Sequence, residues 1–259
     1  MIYPIASEWA WLFAPLVIFG RYAILSGIAF FIFYVWKKRA WLHRKIQQRF
    51  PSTNDYLREV SYSFLTALIF AAVALLCLKT PFRQLTHWYT DVSAYGWGYL
   101  LLSIVLIVLL HDTYFYWLHR LMHHPTWYRQ VHLVHHQSVN PSPWAAYAFH
   151  PFEAVLEAGI IPLAMLVMPL HPIAFFSFVT IMLWFNIYGH LGYELFPAWV
   201  YRHPVGRLIN SSVYHNLHHE RFNGNYGLYF TFWDRLMGTL RKDNNDKLNA
   251  LHHLTTENA

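Results

Sequence analysis

Nine histidines stand in four groups: His119 and His123; His132, His135 and His136; His190 alone; and His215, His218 and His219. Within the multiple groups they recur at three- and four-residue spacing, so on a helix each group turns its imidazoles to one face. Neutral imidazole ligates iron, zinc, copper or nickel. Nine converging imidazoles exceed the roughly six ligands that one ion takes, so the residues predict two metals sharing a pocket. A lone histidine is ordinarily a hydrogen-bonded core or surface residue, and the chain has 18 histidines in all. One HxxxH and two HxxHH strings repeat spacing as well as residue type, which sets these nine apart. His135 and His136 are adjacent, about 100° apart on a helix, and so can reach two different ions. His215, His218 and His219 repeat that geometry.

Two carboxylates complete the candidate catalytic set. Asp112 lies seven residues before His119 and shares its helical stripe with His119 and His123, a position from which a carboxylate can orient an imidazole and raise its basicity. Glu194 follows His190 by one turn, as Asn186 precedes it, and can act as a ligand, a water partner or an interfacial group. His111 is rotated about 80° off the Asp112 stripe and is open between ligand and interface residue. His124, before Pro125, caps or faces solvent. His150 precedes Pro151 and fits a turn-stabilising or substrate-facing role better than ligation. Asn225-Tyr226-Gly227 and Trp233-Asp234-Arg235 read as a tight turn and a buried anchor that help to close the site.

The elements that hold these groups are apolar. Hydrophobic residues make up 56% of the 259 and charged residues only 12%, about half the charge of a soluble domain. Apolar runs cover 11–36, 61–78, 94–110, 154–170 and 173–189, against the roughly 20 residues that span a bilayer. The last two, interrupted by Pro162, Pro169 and Pro172, fit either two spans or a shorter re-entrant hairpin. The expected fold is all-α: a multi-pass membrane bundle of four or five segments under a histidine-rich helical cap. Residues 1–93 form the N-terminal spans and a basic inner loop, 94–242 the catalytic region with the hairpin, and 243–259 a polar, loose tail.

Of the 19 lysines and arginines, all but Arg21, Lys79 and Arg83 lie in segments beside the histidine groups. The positive-inside rule therefore puts that face in the cytoplasm, of a bacterial inner membrane or of the endoplasmic reticulum, with the N-terminus outside. The net charge of +6 fits anionic headgroups, and no basic-aromatic pattern points to nucleic acid. Residues 1–20 lack a basic n-region, so no cleaved signal peptide is predicted. The single cysteine, Cys77, rules out an intramolecular disulfide.

The strings HDTYFYWLHRLMHH, HLVHHQS, AFHPFE, YHNLHH and NYGLYFTFWDRLMGT, in that order over residues 94–240, resemble the fatty acid hydroxylase superfamily on its sterol desaturase branch. The resemblance implies a membrane oxygenase with two iron ions at the cytosolic face, held by His119, His123, His132, His135, His136, His190, His215, His218 and His219. It implies an O2-dependent attack on an unactivated C–H bond of a lipid drawn from the bilayer, giving an alcohol or an alkene. Sterol desaturases carry an HDGE-like string where this chain has His190-Leu191-Gly192-Tyr193-Glu194, which loosens the link to a sterol substrate. Without an attached cytochrome b5-like domain, electrons are expected from a separate cytochrome b5- or ferredoxin-type protein. Tyr114, Phe115, Tyr116 and Trp117 are candidates to line a lipid tunnel. Two rival readings use the same histidines: a zinc-dependent membrane hydrolase that activates water, and a metal transporter or sensor. The lack of HExxH weighs against the first, and the position of the clusters at span ends weighs against the second.

Overall fold

In the computed structural model, residues 9–257 are described, with side chains up to residue 251. Every regular element among them is helical, and strand pairing is limited to three isolated bridges. Helix α1 (Ala10–Phe30) continues through a wider π turn, Phe31–Trp36, and is followed by α2 (Thr53–Lys79) and α3 (Gly96–Met122). A broken helical run then comprises α4 (Pro125–Trp127), a π turn over Tyr128–His132 and α5 (Leu133–His136). The hairpin consists of α6 (Pro151–Ala158), α7 (Ile160–Val167) and α8 (Pro172–Gly189). Helices α9 (Ala198–Arg202), α10 (Ser212–Arg221), α11 (Phe232–Leu236) and α12 (Asn244–Glu257) complete the chain.

Among the described residues, four helices are long and apolar enough to cross a membrane: α1 with its π extension, α2, α3 and α8. Their outward side chains are large and apolar, such as Trp11, Leu16 and Ile24 on α1 and Leu101 and Val105 on α3, as helices facing hydrocarbon require. The 154–170 run is not a fifth continuous helix. It breaks at Gly159, where an added Cβ would meet Tyr114 Oη at 2.5 Å and the Leu156 carbonyl at 2.9 Å. Tyr114 Oη donates to that carbonyl, 2.6 Å away, so the break keeps a polar partner. The limb nevertheless runs the depth of the bundle. Leu170 bridges to Trp88, and Tyr99 Oη, at the start of α3, donates to the Pro169 carbonyl at 3.0 Å. The α7–α8 turn therefore lies at the end of α3 opposite His119. His171 accepts from the Ile173 amide, and Pro172 opens α8, which starts the return limb sharply.

At the histidine end the loop between α1 and α2 folds inward. Lys45 bridges to Tyr193 and is fully buried, its Nζ 5.1–5.5 Å from the ring centroids of Tyr34, Phe50 and Tyr193. Burial, and then Lys38, lower its pKa to about 8. Glu59, buried in α2, accepts from Ser138 Oγ at 2.8 Å and from Ser142 Oγ, tying the segment after α5 to the bundle. The tail expected to be loose forms α12 instead. Leu248 and Leu251, three residues apart and so on one helix face, bury against Ile46, Val213, Tyr214 and Leu217.

Candidate metal centre

Each histidine group is delivered by an element end. His119 occupies the last turn of α3 and His123 is its C-cap; His132 closes the π turn, and His135 and His136 end α5. His190 is the C-cap of α8, and α10 carries His215, His218 and His219. These ends converge in two clusters whose ligand nitrogens lie within 4.8 Å of one another: His119, His123, His132, His136 and His218 in one, and His135, His190, His215 and His219 in the other. The adjacent pairs His135/His136 and His218/His219 divide between the clusters, so α5 and α10 each serve both.

The ring nitrogens face one another directly. In the four-histidine cluster, Nε2 of His190 lies 3.2 Å from that of His135 and 3.0 Å from that of His215, which is 3.2 Å from that of His219. In the other cluster, His123 Nε2 is 3.1 Å from Nε2 of both His218 and His136. Backbone and carboxylate acceptors fix the tautomers. His119 Nδ1 donates to the Tyr226 carbonyl at 2.9 Å, His190 Nδ1 to Asn186 at 2.7 Å and His218 Nδ1 to Gly224 at 2.7 Å. His132 Nδ1 donates to Glu153 Oε1 at 2.6 Å. A neutral ring that donates through Nδ1 has only a lone pair at Nε2, so these contacts cannot all be hydrogen bonds. Nε2 of His119 and His132 is buried with no partner at all. Cis ligands about 2.1 Å from an ion stand about 3 Å apart, which is the separation observed. The donor set fits one metal ion in each cluster. Burial, reinforced by the neighbouring imidazoles, lowers the pKa of His123 to about 2 and holds His132, His135, His136, His215, His218 and His219 well below the usual range. The rings are therefore held in the neutral form, the form that can ligate a metal.

A model of the fatty acid hydroxylase family matches residues 104–239, the stretch that carries all nine histidines. The chain belongs to the fatty acid hydroxylase family. Among its relatives, a Delta(7)-sterol 5(6)-desaturase of Gibberella zeae is 32% identical over 221 residues, covering 85% of this chain and 64% of the relative. Lathosterol oxidase of Rattus norvegicus is 31% identical over 192 residues, 73% of this chain and 62% of the relative, and that of Homo sapiens 31% over 191 residues with the same coverage. The chain thus spans somewhat under two thirds of the length of these relatives. No solved structure matches it.

In this chain the carboxylate on a clustered imidazole is Glu153, at the first turn of α6, buried and bonded to His132. Sequence reasoning passed over it because a Glu after His-Pro reads as an ordinary helix start. Its one signal was a carboxylate at the head of an apolar run. Asp112 sits elsewhere: its Oδ1 accepts from the amides of Tyr229 and Phe230, both at 3.1 Å. Glu194 lies in neither cluster. It accepts from Tyr188 Oη at 2.7 Å, from the Phe196 amide at 2.9 Å and from the Val213 amide at 3.3 Å, and so fastens the start of α10. His111 Nδ1 pairs with Tyr229 Oη at 2.8 Å, while His150 and His124 accept from the amides of Phe152 and Thr126 as helix caps. Asn225 and Asp234 brace the 222–231 loop. Asp234 takes the amides of Tyr226 and Gly227 at 2.9 and 2.8 Å, and Asn225 donates to the Tyr214 carbonyl at 2.9 Å. That loop supplies the carbonyls which orient His119 and His218.

An apolar cavity of about 300 Å³ runs between α1, α2, α6, α7 and α8 and ends at Phe149 and Asn186. The Phe149 ring centroid is 5.1 Å from that of His135, and the Asn186 carbonyl holds His190. Asn186 also borders a pocket of about 10 Å³ against His190 and His215, enough for about one water. Tyr114, Phe115, Tyr116 and Trp117 are not among the residues lining the cavity. Phe115 and Tyr116 are packed in the interior, and Trp117 faces outward.

Proposed function

We propose that the protein is a membrane lipid oxygenase which hydroxylates or desaturates an unactivated C–H bond of a sterol-like or fatty acyl substrate. The observation that carries this reading is the pair of buried imidazole clusters, ring nitrogens facing one another, beside an apolar cavity among membrane-spanning helices. Two iron ions, bound by His119, His123, His132, His136 and His218 and by His135, His190, His215 and His219, would supply the activation of O2 that no side chain provides. The chain's residues do the rest. Gly224, Tyr226, Asn186 and Glu153 hold four imidazoles in the ligating tautomer. Phe149 and the cavity walls keep water from the reacting carbon, and the shape of the cavity determines which carbon reaches the centre.

The histidine end is read as the cytoplasmic face. Reducing equivalents come from a separate cytochrome b5- or ferredoxin-type protein. The exposed Arg202, Arg207 and Arg235, which border an open cavity of about 340 Å³ on that end, suit an acidic donor surface. The test is metal content per chain on anaerobically purified protein, with O2 uptake under reductant. Two irons and reductant-dependent uptake are expected. Two zinc ions that persist under iron-replete expression, with no uptake, would replace the oxygenase by a hydrolase.

A further inference from the structure

The cavity is apolar except at a few points, and one of them is expensive. Glu157, on α6, is only 7% exposed and lines the cavity wall. Among the described residues its carboxyl group has no hydrogen bond or ion pair, unlike Glu153 one turn earlier, which is engaged by His132. A buried carboxyl group without a partner is costly. An ionisable residue at membrane depth ordinarily marks a functional site. Across the cavity, α8 presents Asn186, also buried, whose backbone carbonyl is committed to His190 while its side chain borders the cavity. The cations on the cavity wall lie elsewhere: Arg21, on α1, donates to Thr180 Oγ1, and Lys79 sits at the far end of α2.

We propose that Glu157 and Asn186 form a hydrogen-bonding anchor for the hydroxyl group of a lipid alcohol, and that this anchor sets which carbon faces the metal centre. The proposal rests on the cavity being the lipid path of the oxygenase. A hydroxyl can donate to the carbonyl oxygen of the Glu157 carboxyl group while accepting from the Asn186 amide. A hydrocarbon chain, an ester or an ether offers Glu157 no donor. A fatty acid carboxylate has cations to turn to instead, Arg21 and Lys79. An alcohol therefore fits the polar pair best, and Glu157 is a positioning residue for the substrate.

The experiment uses the full chain, metal-loaded, in nanodiscs, and follows binding by tryptophan fluorescence with cholesterol, cholesteryl methyl ether and oleate as probes. Wild-type protein should bind cholesterol about two- to tenfold more tightly than the ether, the range of one neutral hydrogen bond. Glu157→Leu should remove the preference by weakening cholesterol alone. Glu157→Gln, which keeps an accepting carbonyl, should retain most of it, so the result does not hang on the folding of the leucine variant. Equal binding of alcohol and ether by wild type, an undiminished preference in Glu157→Leu, or oleate displacing both sterols would overturn the anchor. Metal content and reductant-dependent O2 uptake are read on the same samples. If both persist while the preference is missing, the anchor fails and the oxygenase stands; if either is absent, the oxygenase reading itself fails.

Discussion

At His132, a buried imidazole and a buried carboxylate meet at 2.6 Å with almost no solvent at either group. The second oxygen of Glu153 has no hydrogen-bond partner. A negative charge on Glu153 would therefore rest on the imidazole and on whatever cation that imidazole binds. Glu153→Gln should lower metal affinity about 10–100-fold, the usual effect of losing a carboxylate behind a ligand histidine, measured by competition with a chelator. Asp112 has a different job. Asp112→Ala leaves two buried amides without an acceptor and should cost about 1–3 kcal/mol of stability, while metal per chain stays unchanged in the folded fraction. The two clusters also differ in redundancy. His135→Ala leaves three imidazoles in its cluster and should release close to one metal per chain, whereas His218→Ala leaves four and should release less. Equal losses from both variants would contradict this division of ligands.

The elements matter because no single one holds a complete ligand set. Helix α10 was the most legible of them, because HxxHH fixes which face is inward whatever surrounds it. The spans of α1, α2, α3 and α8 were legible for the same kind of reason, length and hydropathy being local properties. The break in the 154–170 run was not. Pro162 looks like its cause, yet Pro162 sits comfortably in the first turn of α7, and the break falls at Gly159 because Tyr114 of another helix occupies the space of a side chain. The roles of Glu153 and of the Gly224 and Tyr226 carbonyls were hidden likewise: Glu153 and Tyr226 meet imidazoles 21 and 107 residues away, and Gly224, six residues from His218, depends on loop dihedrals such as the positive φ of Phe222 and Asn225. Gly159→Ala should lower thermal stability, by about 1–3 kcal/mol as for other overpacked sites. Adding Tyr114→Phe, which removes the closest contact, should recover part of that loss. A single variant as stable as wild type would show that the break tolerates a side chain.

For the whole molecule, the centre creates an acid sensitivity that metal should conceal. Burial depresses the imidazoles outside the spans, His123 to about 2, His190 to about 4 and the others well below their ordinary range. In the unfolded chain the same groups titrate near 6.5. Below that value the unfolded state takes up protons that the folded state refuses, so stability falls as the pH drops from about 6.5 toward the folded values. Each such imidazole contributes a slope of roughly 1 kcal/mol per pH unit, and several act together. The apo-protein in detergent should therefore lose more of its unfolding midpoint than the loaded protein as the pH falls from about 6.5 to 5. Bound metal competes directly with these protons and adds binding energy to the folded state alone. The loaded protein should keep a flat profile to lower pH and then lose metal and structure in one step. Paired thermal scans of chelated and loaded protein across that range make the comparison, with metal release followed in parallel. Equal acid sensitivity of chelated and loaded protein would mean that metal and protons do not compete for these imidazoles.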